Sequence, residues 1–164
     1  MRNNPKVVVL GMGNLLLKDE GIGVHVAHAL QKAPSPDSIE LEVVDGATSP
    51  DATLAFTEAD KLIVVDAVQG GDEPGAIYRF CPHDINLDDN SLTSLHQVSL
   101  LDNLRLMEIF GQKYRDVVII GVQPKETDWG IELSTELKQR MPRIIEVVLQ
   151  EAGQYHPDRP EKGE

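Results

Sequence analysis

Three carboxylates sit where an apolar run has just ended. Glu20 follows Val7–Leu10 through a glycine-bearing loop, Asp45 follows Ile39–Val44, and Asp66 follows Leu62–Val65. One acid beyond a strand is a routine turn residue. Three on a shared rim repel one another unless something binds between them. An imidazole joins them at His96. Ser94 with Gln97 three residues on has the form of a capping box, which puts His96 in the first turn of a helix. The positive helix end favours a neutral, ligand-competent ring. Carboxylates plus an imidazole with open positions suit a hard-to-borderline divalent ion. Other chemistries lack their parts: there is no His-Glu-x-x-His spacing and no Gly-x-Ser-x-Gly elbow. Cys81 is the only thiol, and an inert strand-end cysteine is the commoner case than a nucleophile.

The elements that must position these groups follow from the hydrophobic pattern. Val7–Leu10, Leu62–Val65 and Val117–Ile120 are unbroken, mostly β-branched runs, the pattern of parallel strands buried on both faces. Ile39–Val44 alternates apolar and charged residues, which predicts a strand near a sheet edge. Ala76–Phe80 reads as a further strand. Helices are predicted from about Glu20 to Lys32, from Ser49-Pro50-Asp51 to Glu58, through Ser94–Phe110, and from about Ile131 to Glu151 with Pro142 as a kink or restart. Strands alternating with helices predict an α/β fold, a three-layer sandwich. Its core is a mostly parallel twisted sheet of about five strands with helices on both faces. In such a sheet ligands bind beyond the carboxyl ends of the strands, where the acids fall.

The first loop needs separate treatment. Gly11 and Gly13 after a strand suggest a sharp turn and invite a dinucleotide-binding reading. The third glycine of that motif should then stand at Leu16, and Asp19-Glu20 would repel a pyrophosphate. Within the acidic pair itself, compensation of a helix dipole competes with ligand binding. His25 and His28 share the following helix three residues apart and read as ordinary polar-face residues.

Composition narrows the class. A chain of 164 residues fits one domain, 1–164, with residues 154–164 expected as a disordered tail. The formal net charge of −12 argues against nucleic acid or an anionic membrane as partner. The single cysteine and the lack of a signal-peptide pattern fit a cytoplasmic protein not inserted in a membrane.

Four segments, in order, carry a family resemblance. They are Gly11-x-Gly13-Asn14-x-Leu16-x-x-Asp19-Glu20-Gly21-x-Gly23, Asp45-Gly46-x-Thr48, Val65-Asp66-Ala67 with Pro74-Gly75, and Ser94-Leu95-His96-Gln97. Together they resemble the hydrogenase maturation endopeptidases, over roughly Lys6 to Glu151. Ala47 departs from the pattern, in which a second glycine is usual. The resemblance implies an endopeptidase that removes the C-terminal extension of a nickel-iron hydrogenase large-subunit precursor once nickel is inserted. It implies Glu20, Asp66 and His96 as the metal-contacting and catalytic set, with Asp45 in an unassigned role. Nickel would arrive with the precursor as a readiness signal rather than reside in the protein, and other divalent ions could occupy the site. The competing class is a non-enzymatic nickel-binding or assembly chaperone on the same scaffold.

Overall fold

The computed structural model describes residues 4–47, 59–81 and 116–154. Within them, five strands form one sheet: β1 (Lys6–Met12), β2 (Glu40–Ala47), β3 (Lys61–Ala67), β4 (Ile77–Phe80) and β5 (Asp116–Val122). Their order across the sheet is β2-β1-β3-β5-β4. The β1–β2, β1–β3 and β3–β5 pairs are parallel, and β4 adds antiparallel to β5. The alternating strand is therefore at an edge, as its pattern predicts, and the uninterrupted apolar strands lie inside. Four carboxyl ends converge on one rim.

Both faces of the sheet are apolar and buried. Val7, Val9, Ile63, Val65, Val118 and Ile120 form one core with residues of the helices α1 (Ile22–Lys32) and α2 (Thr135–Gly153). Val8, Leu10, Leu62, Val64 and Ile119 form a second core on the opposite face. Burial on both faces is what a layered α/β fold requires. The helices predicted at 51–58 and 94–110 lie outside the described residues, as does nearly all of the predicted tail.

Three boundaries differ from the sequence pattern, each for a local reason. Gly11 lies inside β1 and not in a turn. A Cβ there would stand 2.2 Å from the Gly23 carbonyl oxygen, and one on Gly23 would stand 2.1 Å from that of Val65. The glycines let the first turn of α1 rest directly on the backbones of β1 and β3, and no phosphate cradle is needed to explain them. A 3-10 turn, Lys18–Gly21, precedes α1, so Glu20 sits ahead of the α-helix proper. Finally, α2 begins at Thr135 and not near Ile131, because Ser134 is the N-cap, its N–H and hydroxyl both held by Asp19. The helix then runs uninterrupted through Pro142. An interior proline costs about 3 kcal/mol, which burial of Leu137, Ile144 and Val148 on the same helix offsets.

Candidate active site

The adjacent acids Asp19 and Glu20 have opposite surroundings. Asp19 is fully buried. Its Oδ2 accepts the backbone N–H groups of Lys125 and Glu126 and the Ser134 hydroxyl; Oδ1 accepts the Ser134 N–H, all within 2.9 Å. Four donors saturate the carboxylate and clamp the first loop to the segment between β5 and α2. Ser134 is the N-cap of α2, yet its hydroxyl caps nothing in its own helix because it is spent on Asp19. A carboxylate at that helix start also complements the dipole. Asp19 is a structural acid.

Glu20 is not. It stands in the 3-10 turn that packs against β3, and among the described residues its side chain takes no hydrogen bond or ion pair. The turn is fixed around it. Asn14 N–H donates to the Glu20 carbonyl, Glu20 N–H to that of Leu17, and Asp19 N–H to that of Glu126. Gly13, at φ 139°, supplies a backbone conformation and a space that a side chain would fill, since a Cβ there would lie 2.0 Å from the Glu20 carbonyl oxygen. A rigid backbone thus presents a carboxylate that the described fold does not consume.

Asp66, near the carboxyl end of β3, is buried and accepts the Ala67 N–H at Oδ1, 2.8 Å. Strand alternation gives it the face of Val64, opposite to that of Val65. The loop that follows is held by Gln123, just past β5. The Gln123 Oε1 accepts the Gly70 N–H and the Tyr78 hydroxyl, and its Nε2 donates to Gln69 and to the Pro124 carbonyl. This buried amide orders the segment directly after Asp66, and only its position at a strand end hinted at such a role.

Asp45 ends on the same rim but with its side chain on the α1 face, in step with Leu41 and Val43. There its Oδ2 meets the His28 Nε2 at 2.8 Å. Gly46 is the extra residue of a bulge that follows the Gly11–Asp45 pair. His28 is therefore more than a polar-face residue: it joins α1 to the end of β2. His96 lies outside the described residues. Among the described residues no three or more His, Cys, Asp and Glu groups are placed to hold a metal ion. Cys81 is half-buried against the core that faces α1 and α2.

His25, one turn before His28, has a buried Nε2 without a hydrogen-bond partner. Burial, reinforced by His28 and opposed by Asp19, holds its pKa below the ordinary 6.5. The unfolded chain then takes up the proton first on acidification. Stability from this group is fully present above about pH 6.5 and is lost as pH falls through the folded pKa. Urea midpoints at pH 7.5 and 5.5 should converge in His25→Leu relative to the native protein, whose midpoint falls on acidification.

Comparison with known proteins agrees with this architecture. A family model described as hydrogenase maturation protease matches residues 24–151. The hydrogenase expression/formation protein HupD of Thiocapsa roseopersicina is 35% identical over 158 residues, 94% of this chain and 71% of that protein. The hydrogenase 2 maturation protease of Escherichia coli K12 is 31% identical over 147 residues, covering 88% of each. Among solved structures, the hydrogenase maturating endopeptidase HybD from E. coli superposes with a TM-score of 0.74 at 29% identity, over 90% of this chain and 94% of that one. With its five-stranded sheet, its glycine-packed first helix and these relatives, the chain belongs to the hydrogenase maturation protease family.

Proposed function

We propose that this protease removes the C-terminal extension of a nickel-iron hydrogenase large-subunit precursor after nickel insertion, reading the inserted nickel as the signal to cut. The observation that supports the reading is the Glu20 carboxylate, which no group engages among the described residues, on an ordered turn against β3 beside Asp19, whose own oxygens accept four hydrogen bonds. A carboxylate left without partners on an ordered turn is suited to an incoming cation. The resemblance adds Asp66 and His96 as its partners, and an O,O,N set of that kind is one that borderline nickel accepts while keeping thiolates of the precursor. The metal is then part of the substrate. The site's carboxylates serve to ligate it and to manage the proton of the attacking water. Asp45, paired with His28 on the other face of the sheet, serves the rim's shape and not the metal.

Such a set should hold free metal weakly. Three ligands without thiolate, one of them already hydrogen-bonded to backbone, are expected to release nickel during purification. Elemental analysis of protein purified with chelator should give well under one metal per chain; stoichiometric retention would make the metal a resident cofactor. The chaperone alternative is separated by the product. Purified protein and nickel-loaded precursor, followed by mass spectrometry, should release a C-terminal peptide. A chaperone would leave the precursor's mass unchanged.

A further inference from the structure

Leu16, Trp129 and Ile131 are the large apolar side chains left open to solvent among the described residues, at 54%, 76% and 70% exposure. They are not scattered. The Leu17–Gly130 bridge brings their two segments together: Gly130 N–H donates to the Leu16 carbonyl and Lys18 N–H to that of Gly130, each at 2.9 Å. The Asp19 clamp fixes the same segments from behind. Leu16 and Glu20 stand four residues apart in one short loop whose backbone is tied by Asn14 N–H to the Glu20 carbonyl and Glu20 N–H to that of Leu17.

Acidic groups flank the surface, most of them paired with lysines. Glu126, Asp128 and Glu132 flank Trp129 and Ile131; Lys18 pairs with Asp128 at 3.2 Å and Lys138 with Glu132 at 3.4 Å, which leaves Glu126 as the acid without an ion pair among the described residues. A second copy of this chain is a poor occupant, because each carries a net charge of −12. Area argues the same way. Three such side chains offer at most roughly 600 Å², against about 800 Å² per partner for a stable protein interface. That area suits a short peptide anchored by one aromatic contact.

We propose that Leu16, Trp129 and Ile131 form the docking surface for the precursor segment flanking the cut bond, an extended stretch carrying apolar side chains beside lysine or arginine. The proposal rests on the function proposed above and adds the surface that recognises the peptide. Rigid support means little ordering is needed on the protease side, so the surface contributes mainly to binding.

Trp129 is the only tryptophan in the chain, which supplies the probe. Its emission should shift to the blue when the protein is titrated with a nickel-loaded large-subunit precursor from the same genome. Trp129→Ala and Ile131→Ala should each raise KM about tenfold or more with kcat within about twofold, while Trp129→Phe should recover most of the loss. An unchanged KM in both alanine variants, or an emission maximum that stays fixed at saturating precursor, overturns the surface while leaving the protease reading intact. A blue shift that appears with protein concentration alone identifies a second copy as occupant and also overturns it. Failure of the native protein to cut any such precursor overturns the proposed function, and this surface with it.

Discussion

Glu20→Gln is expected to reduce precursor trimming by at least about a hundredfold while leaving thermal stability within about 1 kcal/mol of the native protein. The amide keeps the shape but gives up the charge that a cation needs, and no hydrogen bond of the described fold is lost with it. Its neighbour should behave in the opposite sense. Asp19→Ala strands the buried Ser134 N–H and hydroxyl and removes the acceptor of the part-buried Lys125 and Glu126 N–H groups. Each unsatisfied buried group costs about 1–3 kcal/mol, so the variant should lose at least about 2 kcal/mol and yield less folded protein. Single-turnover trimming assays and thermal melts on the pair give the comparison. Equal activity in Glu20→Gln and native protein would remove Glu20 from the mechanism.

The second large effect is expected at the opposite end of the sheet. Lys61 begins β3 and is almost wholly buried, with its Nζ 2.8 Å from the Glu151 Oε1, 3.0 Å from the Glu151 carbonyl and 3.3 Å from Asp116. Arg79 grips the same carboxylate through Nε and Nη2 at 2.8 and 2.9 Å. Burial alone would raise the pKa of Glu151, but hydrogen bonds from Arg79 and Lys61 outweigh it and hold the group below its ordinary 4.5. Glu151→Ala leaves a buried ammonium with only partial compensation from Asp116. The expected cost is about 3 kcal/mol, or roughly 6–12 °C in Tm. Arg79→Ala should cost about 1 kcal/mol or less, because that guanidinium is half exposed. Replacing both buried partners, as in Lys61→Met with Glu151→Leu, should recover much of the loss. The depressed carboxyl also sets a pH window. Its contribution is present above about pH 4.5 and is lost as pH falls through the folded pKa.

Buried strands were the most legible part of the fold. Val7–Leu10, Leu62–Val65 and Val117–Ile120 are apolar on both faces, a pattern with few readings other than interior parallel strands. Long-range partners were not legible. The sequence offers two adjacent acids, and only the position of Ser134 and of the Lys125 and Glu126 amides distinguishes the structural Asp19 from Glu20. The same holds for His28, whose pairing with Asp45 depends on how α1 lies over β2. Gly11 and Gly23 were visible as glycines, but the close backbone approach that requires them needs both elements in place. The start of α2 was misplaced for a similar reason, because the Ser134 N–H and hydroxyl are held by Asp19, distant in sequence, and the helix begins only after Ser134. The place of Asp66 near the end of β3 was legible, and the Gln123 amide that orders the next loop was not.

The central claim is that the acids on this rim serve a protease that acts only on metal-loaded substrate. The most direct measurement is intact-mass spectrometry of matched nickel-loaded and nickel-free precursor after incubation with the purified protein. Loss of a single C-terminal peptide is expected from the loaded form and none from the empty form. Equal cleavage of both forms, or of neither, would contradict it.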